Sequence, residues 1–190
     1  MRLNKKKLAF VVAWTICAQG GAFPQNTKDK LQPLVETSAR RLTIAEQVAL
    51  AKWDSGAPVE DAAREAQVIA SATKAGESRD LDPAWVSNFF RAQIEANKFV
   101  QNSLLAEWRR AGKAPDHTPI NLALTIRPEL DNVEAALIAE LAETAEIRTS
   151  ASCRIDIAKA VGKYHSAHKN SFSPLKTIAL DRAMAAVCTQ

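Results

Sequence analysis

Glycine and aromatic residues are scarce in this chain: six Gly in 190 residues, with Phe, Trp and Tyr together at 6%. Strand patterning is also missing. No stretch sustains period-two alternation, and no Asn-Gly or Asp-Gly pair marks a hairpin turn. A β-rich fold is therefore excluded. Phosphate-cradling glycine loops are absent as well, and no Glu-x-x-His or comparable spacing offers metal ligands. The three histidines, His117, His165 and His168, do not pair with a serine or cysteine in a pattern that points to a nucleophile and its base. What the chain does have is alanine, its commonest residue, and long apolar stripes at helical spacing.

The net charge of +4 suggests a nucleic-acid or membrane partner. The N-terminus removes that suggestion. Arg2, Lys5, Lys6 and Lys7 precede an apolar run from Leu8 to Cys17, and small residues follow at Ala18, Gly20, Gly21 and Ala22. This is the pattern of a secretory signal peptide over residues 1–22. Its apolar core of about ten residues is too short to span a bilayer, which takes roughly 20. Cleavage takes away four cations and no acid, leaving 21 of each sign in a mature chain of residues 23–190. We expect an exported protein, periplasmic or secreted, with no nucleic-acid partner and no membrane association after cleavage. Thr15-Ile16-Cys17 lacks the small residues that precede a lipidated cysteine, so Cys17 leaves with the signal. Cys153 and Cys188 remain, and two cysteines in an oxidising compartment pair. A bridge closing this loop stabilises by roughly 4 kcal/mol in the chain-entropy account.

The mature chain reads as a single all-α domain, a bundle of about six helices. The first runs from Asn26 or Gln32 to Trp53, with Leu31, Leu34, Val35, Leu42, Ala45, Val48 and Ala49 as its apolar stripe. Pro58 opens the second, which reaches Ala75 or Gly76. Asp82-Pro83 caps and opens a third that ends near Gly112. A proline-containing loop covers 112–121, and a fourth helix follows Arg127-Pro128. Shorter helices are expected over 152–163 and 174–188.

Function shows where polar side chains interrupt apolar faces. Phe90, Ile94, Asn97, Gln101, Leu104 and Trp108 make one heptad seam with two amides in its middle. A buried amide without a partner costs a few kcal/mol, so each needs protein, water or ligand; a register-fixing polar pair is the plain structural alternative. Arg41 and Lys52, eleven residues apart, fall within about 20° of each other around the helix and about 16 Å apart along it. Asp61, Arg64, Glu65 and Val68 share one face of the second helix, where a surface ladder of ion pairs is the competing reading. Together these groups describe a polar pocket inside a bundle, which is where helical proteins build ligand sites. It suits a small dianion and the stabilisation of charge, without covalent catalysis, metal or cofactor.

The segments RRLTIAEQVALAKW (40–53), PVEDAAREAQ (58–67) and FFRAQIEANKFVQNSLLAEW (89–108) resemble the secreted, all-helical chorismate mutases, the gamma subgroup of the AroQ class. The resemblance extends over most of the mature chain. It implies isomerisation of chorismate to prephenate by an intramolecular Claisen rearrangement with no covalent intermediate. It implies that Arg41 and Arg127 bind the two substrate carboxylates, and that Lys52 and Gln101 act catalytically on the ether oxygen. It implies further that Asp61 and Glu65 meet the ring hydroxyl region, that Arg64 braces the site and that Asn97 makes a small polar contact. A homodimer with each site inside one chain is also implied. Some members carry Glu in place of Gln101, which donates a hydrogen bond only when protonated; an amide donates at any pH, so activity here should persist above neutrality. An isochorismate pyruvate lyase-like enzyme and a non-catalytic secreted helical binding protein are the alternatives at this point.

Overall fold

In a computed structural model, residues 30–189 are described. Among them every regular element is helical: α1 (Gln32–Ser55), α2 (Ala62–Glu77), α3 (Pro83–Ala111), a π-helical turn (Leu122–Ile126), α4 (Arg127–Glu143), a single turn α5 (Ala145–Arg148), α6 (Cys153–His168) and α7 (Pro174–Met184). The expected signal segment lies outside the described residues.

α1 is the central rod. It packs against α3, α4, α6 and α7, and Leu34, Val35, Ala39, Leu42, Ala45 and Ala49 are fully buried along it. Gly56, in the left-handed region at φ 68°, stops it. α3 lies across α1, α2 and α7, with Phe89 and Phe90 fully buried and edge-on to each other at 5.4 Å between centroids. Asp82 accepts from the Trp85 amide at 2.7 Å to start α3, and Gly112 at φ 75° ends it. The turn between α2 and α3 is tight: a Cβ on Gly76 would stand 2.9 Å from Val86 Cγ2.

Three boundaries differ from the sequence expectation. α2 begins at Ala62 rather than Pro58. Asp61 is its N-cap, accepting from the Arg64 amide at 3.1 Å, while Val59 leaves helical geometry to bury itself with Ala49, Leu105 and Trp108. α6 runs five residues further than expected, to His168. α7 ends at Met184, four residues short of the expected 188. The chain turns there because Cys188 is bonded to Cys153, with Cα atoms 5.9 Å apart, and because Thr189 donates from its amide to the Arg148 carbonyl at 3.1 Å. The α5 turn and the π turn were not foreseen. The disulfide was.

Candidate active site

A cavity of about 760 Å³, mouth included, opens between α1, α2, α3, the π turn and α4. All eight residues singled out from the sequence border it: Arg41, Lys52, Asp61, Arg64, Glu65, Asn97, Gln101 and Arg127. Val48, Val59, Val68, Ile94, Leu122 and Leu130 supply its apolar wall.

α1 presents two cations. Arg41 is 5% exposed, and its Nε is buried without a hydrogen-bond partner. Burial pushes its pKa down to about 10, against the pull of Glu134, and the guanidinium stays fully charged at neutral pH. Lys52, three turns on, donates from Nζ to the Val59 carbonyl at 2.6 Å. Burial lowers its pKa too, while Asp61, Glu60 and Glu65 pull it back up. The loop geometry explains this contact: because α2 starts late, the Val59 carbonyl is left outside any helix and turns toward the ammonium. One of its three donor positions is taken and two remain.

α3 presents the amides. Asn97 donates through Nδ2 to the Arg41 carbonyl at 3.3 Å, so it ties α3 to α1. Gln101 is 6% exposed and its Oε1 is buried without a partner, facing the same hollow. The register-fixing alternative therefore describes Asn97 in part and does not describe Gln101.

The acid–Arg–acid set of α2 is not a surface ladder. Asp61 caps its own helix, Arg64 reaches across to Asp131 of α4 at 3.0 Å, and Glu65 accepts from Lys98 of α3 at 3.3 Å. Arg64 and Glu65 thus tie α2 to two different walls, while Asp61 fixes its start. Arg127 comes from the junction of the π turn and α4. Its amide donates back to the Leu122 carbonyl and closes the wide turn, and π turns of this kind recur at functional sites.

Three polar residues on the cavity were not identified from sequence: Lys98, Asp131 and Glu134. The last two were accessible. Arg127, Leu130, Asp131 and Glu134 follow the same i, i+3, i+4, i+7 spacing that exposed the α2 set. The signal was masked by the apolar stripe of α4, which set the reading of that helix. Lys98 is bound between Glu95 at 2.6 Å and Glu65 at 3.3 Å, and these bonds raise its pKa.

An all-helical bundle around a hollow lined by arginine, lysine and amide groups has the chemistry to hold a small anion. Residues 32–102 match the family model for chorismate mutase type II. A secreted chorismate mutase from Mycolicibacterium smegmatis is 31% identical over 172 residues, covering 89% of this chain and 93% of that protein. Among solved structures, a chorismate mutase from Burkholderia phymatum is 43% identical, covers 86% of this chain and 99% of its own, and superposes with a TM-score of 0.82. One from Burkholderia thailandensis is 34% identical, over 84% and 99%, with a TM-score of 0.79. The chain belongs to the type II chorismate mutase family. The secreted relative agrees with the export read from residues 1–22, and the protein is an exported one.

Proposed function

We propose that the α1–α4 cavity is where this enzyme isomerises chorismate to prephenate, and that the eight residues above carry the reaction. The observation behind this reading is their convergence from four helices on one hollow. The rearrangement is intramolecular: one C–O bond breaks and one C–C bond forms within the substrate, with no proton or group passed to the protein. The task is to hold a flexible dicarboxylate in its compact conformer and to stabilise the negative charge that grows on the ether oxygen.

Arg41 of α1 and Arg127 at the start of α4 both border the cavity and serve as the carboxylate partners. Lys52 offers its two remaining N–H groups to the ether oxygen and the neighbouring carboxylate. Gln101 donates from its amide to the same oxygen. Both groups are less than a tenth exposed, so their field on the oxygen is weakly screened. Asp61 and Glu65 accept from the ring hydroxyl. Arg64, tied to Asp131, braces α2 against α4, and Asn97 adds a polar contact while anchoring the Arg41 backbone.

Mature protein mixed with chorismate should consume its absorbance and yield prephenate, and failure to do so overturns the assignment. The lyase alternative is tested by offering isochorismate in the same assay, where no pyruvate should appear. Cleavage near residue 22, leaving one domain over 23–190, belongs to the same reading; the mass of the exported protein checks it. So does a homodimer. Because one chain supplies the whole set, each copy would hold a complete site, and light scattering on the mature protein should give twice the chain mass.

A further inference from the structure

Glu134 has no part in the reaction outlined above, yet it borders the same cavity at 8% exposure. A buried carboxylate beside a site for a dianion needs a reason. Its surroundings supply one. Glu134 is the buried acid among the cavity's carboxylates, as Arg41 of α1 is the buried arginine on the same lining; Ser71 of α2, Arg41 and Arg64 of α2 pull its pKa down, and Asp131 of α4 opposes them. In turn, Glu134 is the strongest acid acting on Arg41, ahead of Asp131. The Arg41 Nε is buried and without a hydrogen-bond partner, and a buried cation stripped of its counter-charge is costly.

We propose that Glu134 is a positioning residue that serves as the resident counter-charge of Arg41 in the empty enzyme and competes with the substrate carboxylate for it. This rests on the reading of Arg41 as a carboxylate partner. In the unliganded protein, Glu134 keeps the guanidinium inside the cavity rather than letting it swing to water. When the substrate arrives, its carboxylate takes over that duty and finds a second negative charge close by. Glu134 therefore trades affinity for a pre-placed arginine, and restrains the site from closing on weaker anions. Burial lifts the Glu134 carboxyl above the ordinary range, so acidification neutralises the competitor before it neutralises exposed carboxylates.

Glu134→Gln tests this, because the amide keeps the Ser71 contact and removes only the charge. Relief of a like-charge repulsion across a partly screened cavity should lower the KM for chorismate by about three- to tenfold, with kcat within about twofold of the parent. The wild-type KM should fall as pH is lowered through the Glu134 titration, and the variant should lose that slope. The melting temperature of the empty variant should drop, and saturating prephenate should restore more of it than in the wild type. A Glu134→Ala variant, which also loses the Ser71 contact, should show the same lower KM in whatever fraction folds. An unchanged or raised KM with the wild-type pH slope retained would overturn the proposal. Lys52→Ala assayed alongside separates the two readings: its loss of rate with an unchanged Glu134→Gln KM sinks this inference alone, whereas no loss of rate sinks the site itself.

Discussion

Two arginines, Arg41 and Arg148, are each 5% exposed, and burial lowers the pKa of both. Their surroundings differ completely. Arg148, at the end of α5, lies over the Trp85 ring at 3.9 Å and donates through Nε to the Leu141 carbonyl at 3.1 Å. Its own carbonyl receives both the amide and the hydroxyl of Thr189. Arg41 borders an open hollow and its Nε has no partner. Two glutamines of α3 repeat the contrast in their amide donors, although both leave Oε1 buried without a partner. Gln93 donates to Ser38 Oγ and to the Ala183 carbonyl, each at 3.2 Å, deep in a filled core. Gln101, eight residues on, borders the cavity instead. A buried polar group whose donors are used up by its neighbours holds the fold together. One whose donors are left over around an empty volume is available to a ligand, and the fold tolerates the cost because function needs it.

The sharpest way to break this comparison is to remove a cavity cation. Lys52→Ala should lower kcat/KM by about 10²–10³, equivalent to about 3–4 kcal/mol of lost transition-state stabilisation. Its melting temperature should change little, since the ammonium makes one hydrogen bond and sits in a site built to receive charge. A rate close to wild type in a chorismate assay would refute the contrast at once.

At the other end of the molecule the effects should fall on stability and spare the chemistry. Reducing the Cys153–Cys188 bridge, or replacing both cysteines with serine, should cost about 2–4 kcal/mol in denaturant unfolding. Turnover by the folded fraction should not change, because the bridge ties α6 to the chain after α7 and touches no cavity residue. Arg148→Met comes next. It keeps most of the packing over Trp85 but removes one of two side-chain donors to the Leu141 carbonyl, which Thr144 Oγ1 also bonds at 3.3 Å, a loss of about 1 kcal/mol. Parallel loss of kcat in folded Arg148→Met would show that the two arginines do not divide as argued.

How much of this was readable beforehand follows from the same distinction. Helical periodicity is a local property, so the course of α1 and α3 and the Arg41–Lys52 alignment could be read residue by residue. The convergence of the eight side chains was legible because each helix carried polar groups where an apolar face should continue. The late start of α2 was not legible. Pro58 is a good first helical residue, and only the distant Leu105 and Trp108, which bury Val59, decide against it. Glu134 escaped for a related reason. Its helix already had a complete apolar stripe in Leu130, Val133, Leu137 and Leu141, and the acids beside it, Asp131 and Glu134, look solvated until Arg41 is seen on the same cavity. The early end of α7 likewise needs Cys153 and Arg148, both far away in sequence.

The smallest expected effect concerns pH, and it isolates Gln101. An amide has no titration in the working range, so it donates to the ether oxygen equally well at pH 6 and pH 8. Burial lowers the Lys52 pKa, while Asp61, Glu60 and Glu65 act in the opposite direction. Arg41, at about 10, does not titrate there either. We therefore expect kcat to vary by less than about twofold between pH 6 and 8. The Glu134 titration bears on substrate capture and enters KM, not the bound complex. Gln101→Glu should change the picture in one direction only. A carboxyl donates only when protonated, so kcat should decline as pH rises through its folded pKa, by up to about tenfold per unit, and recover on acidification. A wild-type kcat that falls steeply above neutrality, or a flat profile for Gln101→Glu, would remove Gln101 from the oxygen and leave Lys52 as its sole donor.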